Sequence, residues 1–167
     1  RTNEALDKIG ISDIDLVMNL QGDEPLIDVD DIRNLHNLMI KTKSKLGTLA
    51  SNISDENIHL NPNVVKVTTK ENLKKSKFPE AKSFMRKSNN SIDNIYHHLG
   101  IYCYQIETLK KFVSLSQSNN EIKNRLEQLR ALDNNIRINV CHAKKTPIGV
   151  DTEEDFVAIK KIMEYKS

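Results

Sequence analysis

The sequence predicts an α/β domain with a mixed, mainly parallel sheet flanked by helices and an antiparallel excursion in the middle. Strand-like and helix-like segments alternate in the first half of the chain, which is typical of parallel βαβ units. The middle has neighbouring strands with few helices between them, which indicates antiparallel pairing. The chain has 167 residues, of which 38% are hydrophobic and 29% charged, and this composition fits a single globular domain over 1–167.

In the first half, short apolar or β-branched runs predict strands, and apolar stripes at helical spacing predict helices. The stripe of Ile32, Leu35 and Met39 follows Asp28, and an acidic residue suits the amino terminus of a helix. The predicted elements are, in order, a helix over 3–9, a strand over 14–20, a helix from 28 or 29, and strands over 46–53 and 63–69.

The second half opens with residues 70–94, which are polar and weakly periodic and predict a loop or flap around one short strand. Thr152 and the acidic residues after it predict the start of a last helix. The other predicted elements are the short strand at 83–86, a strand over 96–105, a helix around 109–113, a longer helix over 122–132 and a strand over 136–141.

Composition excludes several classes of function. The net charge is only +2 and the charges are interspersed, so the chain shows no electrostatic footprint for nucleic acid or a membrane surface. No apolar run approaches the roughly 20 residues that a membrane span needs. Cys103 and Cys141 lie in apolar segments without ligand spacing, so we expect buried thiols in a reducing, cytoplasmic compartment. The alternative is a disulfide, which is rare in cytosolic proteins.

The segment Gln21-Gly22-Asp23-Glu24-Pro25 ends a short apolar run abruptly. In an α/β domain such a run is a buried strand that ends at the carboxyl edge of the sheet, where ligands bind. Carboxylates at that edge favour a hard cation such as Mg²⁺, and Asp23 is the candidate ligand. The alternative interpretation is ordinary turn chemistry, since Asp and Glu before Pro are common turn residues.

A second acidic candidate is Asp151, which follows Gly149 and Val150 and precedes the last helix. Glycine permits a close approach of the backbone, and we expect Asp151 to share a cation with Asp23 across a pocket. The alternative is that Asp151 or Thr152 only caps the helix.

Three further groups of polar residues stand out, and the ligand contacts of the first would suit a ligand rich in hydroxyl groups. His98 and Tyr102 stand four residues apart on one predicted strand and therefore share a face, as ligand contacts or as part of a sheet surface. Glu127 lies in a polar interruption of a helix, which is otherwise a solvated face with an i, i+3 pair to Arg130. Arg86 is either a carboxylate clamp or a surface cation.

Taken together, these motifs resemble the CMP-Kdo synthetase family, the cytidylyltransferases that activate 3-deoxy-manno-octulosonate (Kdo) for lipopolysaccharide synthesis. The resemblance spans nearly the whole chain and implies a Rossmann-like nucleotidyltransferase fold. The matching segments are Asn19-Leu20-Gln21-Gly22-Asp23-Glu24-Pro25, Asn61-Pro62-Asn63-Val64-Val65-Lys66-Val67, His98-Leu99-Gly100-Ile101-Tyr102-Cys103-Tyr104, Leu126-Glu127-Gln128-Leu129-Arg130-Ala131-Leu132 and Gly149-Val150-Asp151-Thr152-Glu153-Glu154-Asp155.

The resemblance implies a role for each candidate. Asp23 and Asp151 would be the Mg²⁺ carboxylates, and Gln21 a sugar or nucleotide contact beside them. Arg86 would pair with the carboxylate of the sugar acid, and Arg1 would end a motif that helps to hold the cytidine. The remaining candidates would form the Kdo pocket; they are His98, Tyr102, Glu127 and Gln128.

The resemblance also implies substrates and partners. CTP and Kdo would be the substrates, and the family is typically a homodimer. The rival interpretations are another sugar-acid cytidylyltransferase, such as a CMP-sialate synthetase, and a non-catalytic sugar- or nucleotide-binding module. The chain starts at Arg1, after the glycine-containing loop that cradles the triphosphate in this family, so we expect an amino-terminally incomplete domain with little turnover on its own.

Overall fold

The structure is a computed structural model that describes residues 2–10, 13–53, 55–89, 91–147, 149–150 and 152–164. Arg1 and Asp151, two of the predicted site residues, lie outside the described residues. The strands are β1 Leu16–Asn19, β2 Leu46–Ser51, β3 Lys66–Thr69, β4 Ala81–Met85, β5 Ile95–Gln105 and β6 Asn139–His142. The helices are α1 Thr2–Ile9, α2 Val29–Thr42, α3 Asn57–Leu60, α4 Ile106–Ser114, α5 Asn119–Asn124, α6 Gln128–Asp133 and α7 Glu153–Glu164.

The described strands form one sheet around β5, the longest of them at 11 residues. The order across the sheet is β4-β3-β5-β2-β6, and β1 pairs with the far end of β5. β5 pairs with β3 at its start, with β2 along most of its length and with β1 at its end. This central strand therefore connects three segments: the one after β1, the one before β3 and the one beside α6. Most of the predicted site residues lie in these segments.

The mixed α/β class is confirmed, but the pairing is not mainly parallel. Among the described strands, β2 and β6 pair in parallel, whereas β5 runs antiparallel to β1, β2 and β3, and β3 runs antiparallel to β4. The reason is that β5 lies at the centre of the sheet and runs in the opposite direction to β1, β2 and β3. Each of its three pairings is therefore antiparallel. The predicted antiparallel excursion in the middle of the chain is confirmed.

The single helix predicted over 122–132 is wrong. Two short helices, α5 and α6, form instead, and Arg125 between them adopts a left-handed conformation with φ 52°. The apolar spacing did not distinguish the two arrangements. Leu126, between the two helices, and Leu129 of α6 are buried, whereas Ile122 of α5 is 59% exposed. The polar residues of this interruption are not all on a solvated face, since Gln128 is buried.

Helices cover both faces of the sheet. On one face Leu35 and Met39 of α2 pack against Leu49 of β2 and Ile101 of β5. On the other face residues of α4 and α6 pack against the opposite side of the same strands, and they include Leu109, Phe112 and Leu129. Burial on both faces explains why every residue of β2 is buried. Cys103 and Cys141 are free and buried, as the sequence predicts.

Candidate active site

A cleft of about 440 Å³ lies beside β5. Five of the predicted site residues line it, although they come from distant parts of the sequence; they are Gln21, Asp23, His98, Tyr102 and Gln128. Glu127 lines a neighbouring cavity of about 140 Å³, which shares Gln21, Tyr102 and Gln128 with the cleft. The structure therefore brings together the candidates from three of the motifs.

The turn after β1 is fastened to β5 by Glu24, a residue that the sequence analysis did not assign to the site. Its Oε1 accepts a hydrogen bond from the N–H of Gly100 at 3.0 Å. Gln21 lies across the same glycine, because a Cβ atom at position 100 would stand 2.9 Å from Gln21 Cδ. Gly100 is thus required for the close approach of Gln21. In the sequence, the glycine of the segment His98-Leu99-Gly100 is the feature that indicates such an approach.

The same turn contacts the segment that precedes Asp151. The N–H of Val150 donates to the carbonyl oxygen of Asp23 at 2.8 Å. Gly149 lies beside that oxygen, since a Cβ there would be 3.7 Å away in ordinary contact. The chain therefore reaches Asp23 one residue before Asp151, whose own position lies outside the described residues.

A β-bulge shapes the wall of the cleft. Thr48 pairs with Tyr102 and the next residue, Leu49, pairs with Leu99, so two residues of β5, Gly100 and Ile101, stand opposite no residue of β2. Thr48 occupies the bulge, with its Oγ1 2.7 Å from the carbonyl oxygen of Ile101 and 2.9 Å from His98 Nε2. No residue of β1, β2 or β3 pairs with Gly100, and its N–H donates instead to the carboxylate of Glu24.

His98 and Tyr102 share a face, as predicted, with ring centroids 5.5 Å apart. Burial lowers the pKa of His98 to about 3, and the neighbouring His97 contributes to that lowering. Burial also lowers the pKa of His97 to about 4, with a contribution from Lys66, and raises the pKa of Tyr102. Near neutral pH these rings are therefore uncharged hydrogen-bonding groups that suit hydroxyl groups of a ligand.

Arg130, which the sequence analysis placed on a solvated helix face, is largely buried and supports the wall that carries Glu127. Its side chain is 11% exposed and forms a two-point ion pair with Glu121, which includes a 2.7 Å bond from Nε to Oε2. The guanidinium also lies 4.9 Å from the ring centroid of Phe112 and 3.5 Å from a carboxylate oxygen of Glu127. Glu127 itself is exposed, with its side chain 71% accessible.

Arg86 is not among the described residues that line the cleft, and its guanidinium is engaged elsewhere. It donates to the carbonyl oxygens of Pro62 at 3.0 Å, Asn124 at 3.1 Å and Arg125 at 2.9 Å. These bonds join the loop before β3 to the end of α5. The carboxylate-binding role of Arg86 stays a prediction, while the geometry indicates a structural role.

Lys66 on β3 is a buried cation that sequence reasoning missed. Its Nζ donates to the carbonyl oxygens of Asn61 at 2.8 Å and Val64 at 2.7 Å, and to that of Arg86. Burial lowers its pKa, and the Arg86 charge adds to that effect. Because Asn61 and Val64 line the cleft, Lys66 and Arg86 together hold this wall through backbone carbonyls.

Two features are absent from the residues that the structure describes. Among them no group of three or more His, Cys, Asp or Glu side chains is arranged to hold a metal ion. No helix within the described ranges has the length and apolar character that crossing a membrane requires.

Comparison with known proteins identifies the family. The profile of a cytidylyltransferase family matches residues 1–138. The 3-deoxy-manno-octulosonate cytidylyltransferase of Francisella tularensis is 37% identical over 97% of this chain and 68% of its own length. The enzyme of the same name from Thermodesulfovibrio yellowstonii is 38% identical over 98% of this chain and 68% of its own.

Solved structures agree with this assignment. The structure of CMP:2-keto-3-deoxy-manno-octonic acid synthetase complexed with CTP superposes with a TM-score of 0.83 at 27% identity, covering 99% of this chain and 68% of that one. A UDP-glucose pyrophosphorylase shares the fold at 16% identity and a TM-score of 0.68, covering 99% of this chain and 58% of its own. The chain belongs to the cytidylyltransferase family and, within it, to the 3-deoxy-manno-octulosonate cytidylyltransferases.

Proposed function

We propose that this protein transfers the cytidylyl group of CTP to Kdo, forming CMP-Kdo and pyrophosphate for lipopolysaccharide biosynthesis. The observation that carries the proposal is the convergence of Gln21, Asp23, His98, Tyr102 and Gln128 on one cleft. The names of the relatives supply the substrates: two are 3-deoxy-manno-octulosonate cytidylyltransferases, and one solved relative is described in complex with CTP.

The reaction is a displacement at phosphorus. The anomeric hydroxyl oxygen of Kdo forms a bond to the α-phosphorus of CTP, the bond from that phosphorus to the bridging oxygen breaks, and pyrophosphate leaves with the electron pair. The proton of the hydroxyl passes to solvent. The protein's contribution is mainly positioning and electrostatic stabilisation, because the displacement needs no covalent intermediate with the chain.

The sugar acid would occupy the part of the cleft where His98, Tyr102 and Gln128 meet, with Glu127 at the neighbouring cavity. Uncharged ring groups and an amide suit the hydroxyl groups of an octulosonate, and the exposed Glu127 carboxylate accepts hydrogen bonds only. Gln21 lies between the two cavities and would contact either the sugar or the nucleotide.

The reaction would depend on Mg²⁺ held by Asp23 and Asp151. Carboxylate oxygens are hard ligands, and Mg²⁺ commonly uses one or two of them together with substrate phosphates, so a pair of acids is a sufficient donor set. The hydrogen bond from Val150 to the Asp23 carbonyl supports the pairing, since Asp151 is the next residue. When bound, Mg²⁺ would neutralise charge on the phosphate oxygens and orient the reacting groups.

Two further properties are part of the proposal. We place the reaction in the cytoplasm because CTP is a cytoplasmic nucleotide. We also propose a homodimer, following the family resemblance. Light scattering at micromolar concentration tests the second point: a mass of twice the single chain is expected, and a mass of one chain contradicts it.

The test of the function is an acceptor comparison with the protein expressed from its complete gene. With CTP and Mg²⁺ present, pyrophosphate release is measured with Kdo, with N-acetylneuraminate and without acceptor. We expect release only with Kdo, together with CMP-Kdo as the product. Release with the sialic acid in place of Kdo would support a CMP-sialate synthetase, and calorimetric binding without release would support a non-catalytic binding module. Either result contradicts the proposal.

A further inference from the structure

The hydroxyl group of Thr48 has one proton but three possible hydrogen-bond partners. Its Oγ1 lies 2.7 Å from the carbonyl oxygen of Ile101, 3.3 Å from that of Leu99 and 2.9 Å from His98 Nε2. Thr48 has no solvent exposure, so water does not compete for these partners. The arrangement exists because the bulge in β5 turns two backbone carbonyls towards a side chain of β2.

Counting protons fixes the direction of each bond. A hydroxyl group carries one proton and two lone pairs, and a carbonyl oxygen carries no proton. The short contact with the Ile101 oxygen is therefore a bond that Thr48 donates. Having no second proton, Thr48 Oγ1 accepts from His98, and Nε2 must carry the imidazole proton.

We propose that Thr48 is a positioning residue that holds His98 in the Nε2–H tautomer and so presents Nδ1 as a hydrogen-bond acceptor for a hydroxyl group of the ligand. His98 lines the cleft, and among the residues that the structure describes no hydrogen bond to Nδ1 competes with the ligand. That this hydroxyl belongs to a sugar acid rests on the proposed function.

Two further features of His98 support this assignment. Its lowered pKa keeps the ring neutral near pH 7, so one tautomer and not the imidazolium is the relevant state. The ring also packs edge-on against Phe84 with centroids 5.1 Å apart and lies against Tyr102, which restricts rotation of the imidazole. A fixed acceptor selects for ligands with a donor at that point and disfavours ligands with a carbonyl or carboxylate there.

The first test needs no ligand. Protein labelled with ¹⁵N at histidine is studied by long-range ¹⁵N–¹H correlation at pH 7, and the His98 ring is assigned by comparison with His98→Gln. We expect the signals of a neutral ring with a protonated Nε2 and a bare Nδ1. A protonated Nδ1, or a charged ring, overturns the inference whatever the protein's activity.

The second test uses a matched pair of variants in the protein from the complete gene. Thr48→Ser keeps the hydroxyl, whereas Thr48→Val keeps the shape and removes it. We expect Thr48→Val to raise KM for Kdo at least tenfold while KM for CTP changes less than twofold, and Thr48→Ser to restore wild-type values. Equal rises in both KM values, or no rescue by serine, overturn the inference.

The two tests separate the tautomer from the reaction. If the wild-type protein shows no turnover with Kdo, the proposed function fails, but the ring assignment is still decided by the first test. If Thr48→Val does not fold, the spectrum of the wild-type protein alone decides the tautomer.

Discussion

The backbone N–H of Val150 donates to the carbonyl oxygen of Asp23 at 2.8 Å. This bond joins the turn that follows β1 to the connection that leads into α7, two segments that lie near opposite ends of the sequence. It is the main structural support for our proposal that Asp23 and Asp151 share a site.

Asp23→Asn should lower kcat for cytidylyl transfer by roughly a hundredfold to a thousandfold, the range seen when one electrostatic stabiliser of a transition state is removed. The substitution keeps the size of the side chain and removes the negative charge. Pyrophosphate release at saturating CTP and Kdo measures the effect. Asp7→Asn is the matched control, because Asp7 is exposed on α1 and its described contact is with Asn3. Equal activities of the two variants would disprove the role of Asp23.

Gly100→Ala should lower kcat/KM by roughly tenfold to a hundredfold, because the new Cβ would stand 2.9 Å from Gln21 Cδ and would displace that side chain. A double-mutant cycle gives the control. With Gln21→Ala in place the clash is gone, so adding Gly100→Ala should cost little more. If the two effects instead add fully, the contact between these residues is not the cause.

Stability should fall as the pH drops below about 6.5. Burial lowers the pKa of His98 to about 3 and that of His97 to about 4, so between these values and 6.5 the unfolded chain binds protons that the folded chain does not. Each histidine then contributes up to about 1.4 kcal/mol of lost stability per pH unit. Urea unfolding at pH 7, 6 and 5 measures the slope.

The control for the pH prediction is a pair of histidine variants. His98→Gln should reduce the slope, because one of the two groups is removed. His36→Gln should leave it unchanged, since His36 is exposed on α2. A slope that is the same in both variants would mean that other groups cause the pH dependence.

Arg86→Lys should lower the free energy of unfolding by about 1–2 kcal/mol, because the guanidinium donates from three separate nitrogens to Pro62, Asn124 and Arg125. A lysine carries all its donors on one nitrogen and cannot match the spread of these three carbonyl oxygens. Arg137→Lys is the control, since Arg137 is 78% exposed with one described ion pair to Glu80. Kinetics distinguish this structural role of Arg86 from the carboxylate-binding role that the resemblance implies. A structural role raises KM for both substrates, whereas a carboxylate clamp raises KM for Kdo alone.

Glu121→Ala should destabilise the fold by about 3 kcal/mol, because it leaves the buried charge of Arg130 without its main partner. The surface variant Glu4→Ala should cost less than about 1 kcal/mol, since its ion pair with Lys8 is exposed on both sides. Chemical denaturation compares the two. A similar small loss in both variants would show that the Glu121–Arg130 pair contributes no more than a surface pair.

Much of the fold follows from local patterns in the sequence. The helix near Asp28 appears as α2, where the Asp28 side chain accepts from Asp30 N–H at 2.9 Å. The strands predicted over 14–20, 46–53 and 63–69 appear as β1, β2 and β3 within a few residues. Hydrophobic period and capping residues act over short distances, so a single sequence carries them fully.

The directions of the strands and the short helices were not predicted, because they depend on contacts between distant parts of the sequence. The position of β5 in the centre of the sheet is set by which strands pair with it, and the alternation of elements in the first half suggested parallel pairing instead. The break between α5 and α6 occurs at Arg125, a left-handed residue that no glycine or proline marks. The four-residue helix α3 has no apolar stripe and was not predicted.

The residues that line the cleft were predicted best where they belong to a recognisable sequence motif. Gln21, Asp23, His98, Tyr102 and Gln128 line one cleft, and their roles, like those of Arg86 and Asp151, stay predictions. Residues that act through backbone groups were missed: Glu24, Thr48 and Lys66 bond to main-chain atoms of other elements. Nothing in the sequence around such residues identifies their partners, which become visible only after folding.

We propose above that Asp23 and Asp151 hold one cation at the cleft. The most direct measurement is a crystal structure of the protein from the complete gene with CTP and Mn²⁺, in which anomalous scattering locates the metal. We expect one peak within about 2–2.4 Å of carboxylate oxygens from both residues, close to the α-phosphate. A peak bound by neither residue, or the two carboxylates on separate sides of the cleft, would contradict it.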